Sequence, residues 1–143
     1  SAAAKAIVTR HISWAIPTVI FSLFSQSMVI FFFIGTGKLV KDEVAEFPEP
    51  ERRRVLDALR RFKKETSPPA TFALFSAIAV FVLGGAAHTK ALPSWVHLGA
   101  ACVAVVLHMW ALVTEWRAFG ENARLMRDPQ DYARAAPLAG EGR

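Results

Sequence analysis

The chain has 143 residues, with 17 Lys and Arg against 12 Asp and Glu and a net charge of +5, and these charges are segregated rather than spread. Residues 12–37, 66–89 and 91–114 carry none, so every charged side chain falls in the 69 residues outside those three runs. A soluble domain of this size is excluded, because its helices would carry charge on their outer faces every turn or two.

Each run exceeds the roughly 20 apolar residues that cross a hydrocarbon core about 30 Å thick. None alternates as a barrel strand does. Only a helix satisfies its own backbone groups in lipid, so the sequence predicts an all-α integral membrane three-helix bundle, with spans at about 12–35, 69–89 and 94–116. The whole chain reads as one membrane domain. The first run is longer than the apolar core of a signal peptide, about 7–15 residues, and no small-x-small site precedes the charged stretch after it. It is expected to remain as a mature helix.

At the end of the first span, Gly35-Thr36-Gly37-Lys38 has the look of a phosphate loop. It lacks the upstream glycine, a preceding strand and a following Ser or Thr, and is read as glycines closing a helix. The loop that follows, residues 38–66, is strongly basic. After Pro48 and Pro50 it reads ERRRVLDALRRFKKE, with Val55, Leu56, Leu59 and Phe62 at helical spacing. This predicts a cationic amphipathic helix between spans 1 and 2, lying on anionic lipid headgroups; the alternative is a solvated helix packing on a partner or a second subunit. Ser67, Pro68 and Pro69 supply a stop and a new helix start.

Spans 2 and 3 are joined by a tight hairpin in which Pro93 opens the third helix. The lone cysteine, Cys102, lies within that helix as a small packing residue. The tail, residues 117–143, is expected to continue as helix to about Arg127, turn at Asp128 and Pro129, and end in a loose Pro/Gly/Ala-rich segment. Trp14, Trp95 and Trp116 fall near the ends of the spans, where amphipathic rings are usual.

Orientation follows from the charges. The N-terminal arm and second loop carry three Lys or Arg (Lys5, Arg10, Lys90); the first loop and tail carry fourteen. The positive-inside bias places the N-terminus outside and the C-terminus in the cytoplasm, in a cell inner membrane. Without stacking aromatics or a reading motif, the basic excess does not point to nucleic acid.

The histidines carry the chemistry. His11, His88 and His97 fall at one outer level, where imidazoles suit a metal ion, and His88 and His97 are placed to meet across the hairpin. Interfacial histidines that simply reach water and headgroups are the plainer alternative. His108 lies 14 residues beyond Ser94, about 21 Å along the helix, where a polar side chain is costly and marks a functional candidate. Gln26 and Ser76 fall near its depth. On the third span His97, Ala101, Ala104, His108, Ala111 and Glu115 share one face; Thr18, Ser22 and Gln26 line the first, and Ala73, Ala77, Gly84 and His88 the second. A helix interface glued by hydrogen bonds accounts for such stripes; a bound haem, chlorophyll or quinone, held by His108 with Gln26 or by the outer layer of His11, His88 and His97, is the sharper reading. Glu115 is expected within reach of the inner interface.

Ala104 and His108, followed by Trp116, resemble the pigment-ligating stretch of bacterial light-harvesting polypeptides, which implies room for a flat macrocycle beside the histidine. Those polypeptides span once, so the resemblance covers this stretch and not the architecture.

No Ser-His-Asp set or intramembrane carboxylate pair argues for catalysis by the chain alone. The expectation is a small subunit of a larger membrane complex, redox or photosynthetic, or of a homo-oligomer, holding a cofactor through its histidines. The alternatives are a cofactor-free structural subunit and a metal-binding membrane enzyme or transporter.

Overall fold

The computed structural model describes residues 2–135; the end of the tail lies outside them. The fold is all-α and holds three helices long and apolar enough to cross a membrane. Helix α1, Ala2–Glu43, leads through a short 3-10 turn, Val44–Glu46, into α2, Glu49–His88; α3, Ser94–Arg127, is followed by a seven-residue helix, α4, Pro129–Ala135. At about 1.5 Å per residue these helices are far longer than the bilayer is thick, so all three run on beyond it at the charged end.

There they build a second, water-soluble kind of core. Val40, Val44, Val55, Leu59, Phe62, Leu125 and Ala133 are buried together, drawn from all four helices and the 3-10 turn. The amphipathic segment is helical, but it is not a separate element. It forms the first half of α2, and its apolar face is taken up inside the chain rather than left for lipid.

Pro68 and Pro69 do not stop the helix. They leave the carbonyls of Lys64 and Glu65 without amide partners, and both residues lie on the exposed face, where solvent or headgroups satisfy them, while Thr66, Pro69 and Ala70 are buried on the other side. Gly35 and Gly37 likewise fail to close α1. Thr36 bonds back to the Phe32 carbonyl, and the helix extends to bury Val40 and reach Val44.

A single periodicity organises both regions. On α1, from Ala15 to Val40, residues in alternating steps of three and four are all buried or half-buried; the same holds on α2 from Val55 to Ala87 and on α3 from His97 to Leu125. A mean step of 3.5 is the seam of a left-handed coiled coil. Helix α2 is central and packs most extensively on α3, while α1 and α3 touch only lightly. Small residues explain the difference: Ala73 and Ala77 on α2 and Ala104 and Ala111 on α3 are buried, which lets two backbones approach. Outside the seam, large apolar side chains such as Phe21, Phe24, Phe75 and Val105 are exposed, as are Trp14, Trp95 and Trp116.

The hairpin from α2 to α3 closes in a Schellman motif: Ala91 N–H donates to the Ala86 carbonyl at 2.9 Å and Lys90 N–H to Ala87 at 3.2 Å. Lys90 has φ 62°, where a side chain is disfavoured. Lys90→Gly is therefore expected to stabilise the fold by about 1 kcal/mol, seen as a higher midpoint in thermal unfolding in detergent.

At the charged end α4 is tied down by Arg54, whose guanidinium donates to the Ala133 carbonyl at 2.9 Å, and by the half-buried Tyr132 beside Arg61. Burial pushes the Tyr132 phenol above its ordinary 10.0, opposed by Arg61 and reinforced by Glu121. An acid with a raised folded-state pKa lends stability that is complete below the unfolded value and is lost as pH rises through the folded one. Tyr132 is the single tyrosine of the chain, so absorbance near 295 nm is expected to titrate above pH 10, together with release of α4.

Candidate functional site: the polar seam between α1 and α3

Because α1 stands off from α3, long side chains bridge the gap. They do so in strict register. His11 and His97 meet edge to face with ring centroids 6.1 Å apart, Ser22 meets His108, Phe33 stacks on Phe119, and Thr36 meets Asn122. Every one of these pairs is separated by 86 positions in sequence, which is the mark of two parallel helices rising side by side.

His108 is fully engaged. Its Nδ1 lies 2.8 Å from the Ala104 carbonyl, which accepts no proton-free nitrogen, so Nδ1–H donates and Nε2 carries the lone pair. The Ser22 hydroxyl donates to Nε2 at 2.5 Å. A backbone carbonyl fixing one imidazole nitrogen while the other faces across the bundle is the usual orienting arrangement for a ligating histidine. Here the ligand atom is held by Ser22, and Ala104 is buried in the helix packing.

Deeper in the seam lie Gln26, one turn beyond Ser22, and Glu115, two turns beyond His108; they are 8% and 5% exposed. The Glu115 carboxylate meets the Gln26 side chain. Gln26 Oε1 and Glu115 Oε1 are both buried with no hydrogen-bond partner among the described residues. Since the Gln26 oxygen is the orphan, its amide is the group that reaches Glu115. The cluster is thus rich in acceptors and short of donors, a costly condition in a low-dielectric interior. The Glu115 carboxyl is turned into the seam and is closed off from solvent. Phe33 and Phe119, stacked at 5.2 Å, with Phe32 at 5.0 Å from Phe119, close the seam between it and the charged end.

Other expected members are placed elsewhere. Ser76 bonds to the Ala73 carbonyl of its own helix, and Thr18 is exposed and bonds back to Trp14. His97 does not meet His88; it packs over Gly84, where an added Cβ would lie 3.0 Å from the ring. His88 is one position off the seam residue Ala87, rotated by about 100°, and is exposed at the end of α2. Among the described residues no group of three or more His, Cys, Asp or Glu is placed to hold a metal ion. Sequence reasoning missed Asn122, which is 1% exposed with its Oδ1 unpartnered. Its signal was available: Glu115 and Asn122 are one heptad apart, on the stripe that the third span already displays.

Comparison of the chain with protein-family models, with curated proteins and with solved structures finds no match in any of the three.

Ser22→Ala is expected to cost about 1 kcal/mol by leaving His108 Nε2 without a donor. In a double-mutant cycle with His108→Leu, the coupling should fall at about 0.6–1.7 kcal/mol, as for other intramembrane hydrogen bonds, measured by unfolding in mixed micelles.

Proposed function

We propose that the chain is a small integral-membrane subunit of a redox complex, and that its polar seam receives a quinol between α1 and α3. The observation that carries this reading is the pair of buried oxygens without donors, Gln26 Oε1 and Glu115 Oε1, beside the oriented imidazole of His108. A quinol ring brings two hydroxyl donors to a site that lacks donors, and its apolar body suits the surrounding spans. The light contact between α1 and α3 supplies the place where a flat ring enters from the lipid. When a one-electron centre of a partner subunit withdraws the electrons, the two hydroxyl protons go to bases, and Glu115 with His108 are the bases within the seam.

The oriented Nδ1–H of His108 favours a second reading, ligation of a haem or chlorophyll through Nε2 once Ser22 has turned away. The broad apolar surface left open on all three spans supports assembly with other subunits or with a second copy. The bias of positive charge supports an N-terminus outside and a C-terminus in the cytoplasm of a cell inner membrane.

Protein purified from its native membrane is expected to yield an extractable quinone, without a Soret or Q band. Glu115→Leu and Gln26→Leu, which remove the unpaired oxygens, should lower the bound quinone at least tenfold while leaving the helical content unchanged. A Soret or Q band abolished by His108→Leu selects the second reading. Neither band nor quinone, with an intact complex in the His108→Leu variant, leaves the seam as a hydrogen-bonded helix interface.

A further inference from the structure

A second feature adjoins the seam, where α1 and α2 approach the charged end. Helices α1 and α2 run antiparallel and part slightly where the spans meet the charged end, leaving an open cleft of about 380 Å³. Its walls are ordered by polarity along their length. At one end stand Lys38 and Lys41 of α1 and Arg60 and Lys63 of α2, all exposed. At the other the lining is Val29, Ile30, Ile34, Phe33 and Ala70, which belongs to the charge-free spans. Thr66 and Ser67 lie at the level between, and the Ser67 hydroxyl makes no hydrogen bond among the described residues.

The cations at the mouth are largely uncompensated. Arg60 pairs with Asp57 at 3.1 Å, and Asp42 stands at the rim, but Lys38, Lys41 and Lys63 have no ion pair among the described residues. At the base of the cleft lies Asn122, buried and with its Oδ1 unpartnered. The apolar wall from Val29 to Gly37 is about 12 Å long at 1.5 Å per residue, enough to seat much of an extended fatty acyl chain. Gly37 contributes no side chain to this wall, and a Cβ there would meet open space.

We propose that this cleft is a seat for one acidic phospholipid, its phosphate held by Lys38, Lys41 and Lys63 and one acyl chain lying along Ile34 and Ile30 between α1 and α2. Charge complementarity selects the occupant: a free anion would leave the apolar half of the cleft unfilled, and a zwitterionic lipid would bring a second cation to the lysines. The seat differs from a diffuse basic patch in that the chain as well as the headgroup is fitted. It stands independently of the quinol reading, since the cleft uses none of His108, Gln26 and Glu115 and takes a different ligand.

The test is lipid retention by the full chain in a zwitterionic detergent, measured by native mass spectrometry with phosphatidylglycerol or phosphatidylcholine of the same chain length. Wild-type protein is expected to retain phosphatidylglycerol at least tenfold more strongly. At roughly fivefold for each neutralised lysine, Lys38→Gln with Lys63→Gln should lower that retention about 25-fold and leave phosphatidylcholine unaffected. Gly37→Phe, which grows into open space, should displace the lipid while circular dichroism is unchanged. Equal retention of the two lipids, indifference to the double lysine substitution, or indifference to Gly37→Phe overturns the proposal. Displacement of the lipid by millimolar inorganic phosphate also overturns it, because the site would then be one for free anions.

Discussion

Lipid tails are as apolar as leucine, so helices inside a bilayer gain nothing by hiding leucine from them and must hold together by close van der Waals contact and hydrogen bonds. In this chain the contact comes from alanine and glycine. Ala73 and Ala77 of α2 and Ala104 and Ala111 of α3 are buried, and an added Cβ at Gly84 would crowd the His97 ring. The tight α2–α3 pair leaves α1 at a greater distance, and that distance is what the imidazole, amide, carboxylate and phenyl groups of the seam span. Packing of the smallest residues thus decides where the largest polar ones go.

Beyond the bilayer the same seam changes chemistry without changing period. Alanine gives way to Phe62, Leu125 and Val55, because there water is the alternative and burying large apolar groups is again rewarded. The change takes place within single helices. Arg54 and Tyr132 fasten α4 over this inner core, and the exposed basic residues of α2 surround it. The polar site and the soluble core are separate, with the Phe32, Phe33 and Phe119 cluster between them.

The architecture was legible because its cause is global: charge-free runs of sufficient length admit one backbone solution in lipid. The buried face of α3 was legible too, since His97, Ala104, His108, Ala111 and Glu115 repeat at heptad spacing. What local signals misplaced were the ends. Pro68, Pro69, Gly35 and Gly37 are read locally as breaks, whereas burial of Thr66, Pro69 and Val40 carries the helices through them. Thr18 was grouped with Ser22 and Gln26 at steps of four alone, and a run of fours drifts off a seam whose steps alternate with three. The partners across the gap were beyond reach, because Ser22 and Glu115 are assigned by the relative height of two helices, which no single stripe encodes.

That relative height is the same along the whole interface, from His11 beside His97 to Thr36 beside Asn122. The lengths of the first and third helices are therefore not free to vary independently. One residue inserted into either would turn everything beyond it by about 100° and separate each later pair at once. Seven residues added to one helix restore the facing side but still leave it some 10 Å out of step with the other. Change in the length of this protein is thus confined to matched heptads in both helices or to the segments outside the paired stretch. The chain keeps time between two helices that it never joins directly, through the helix that lies between them.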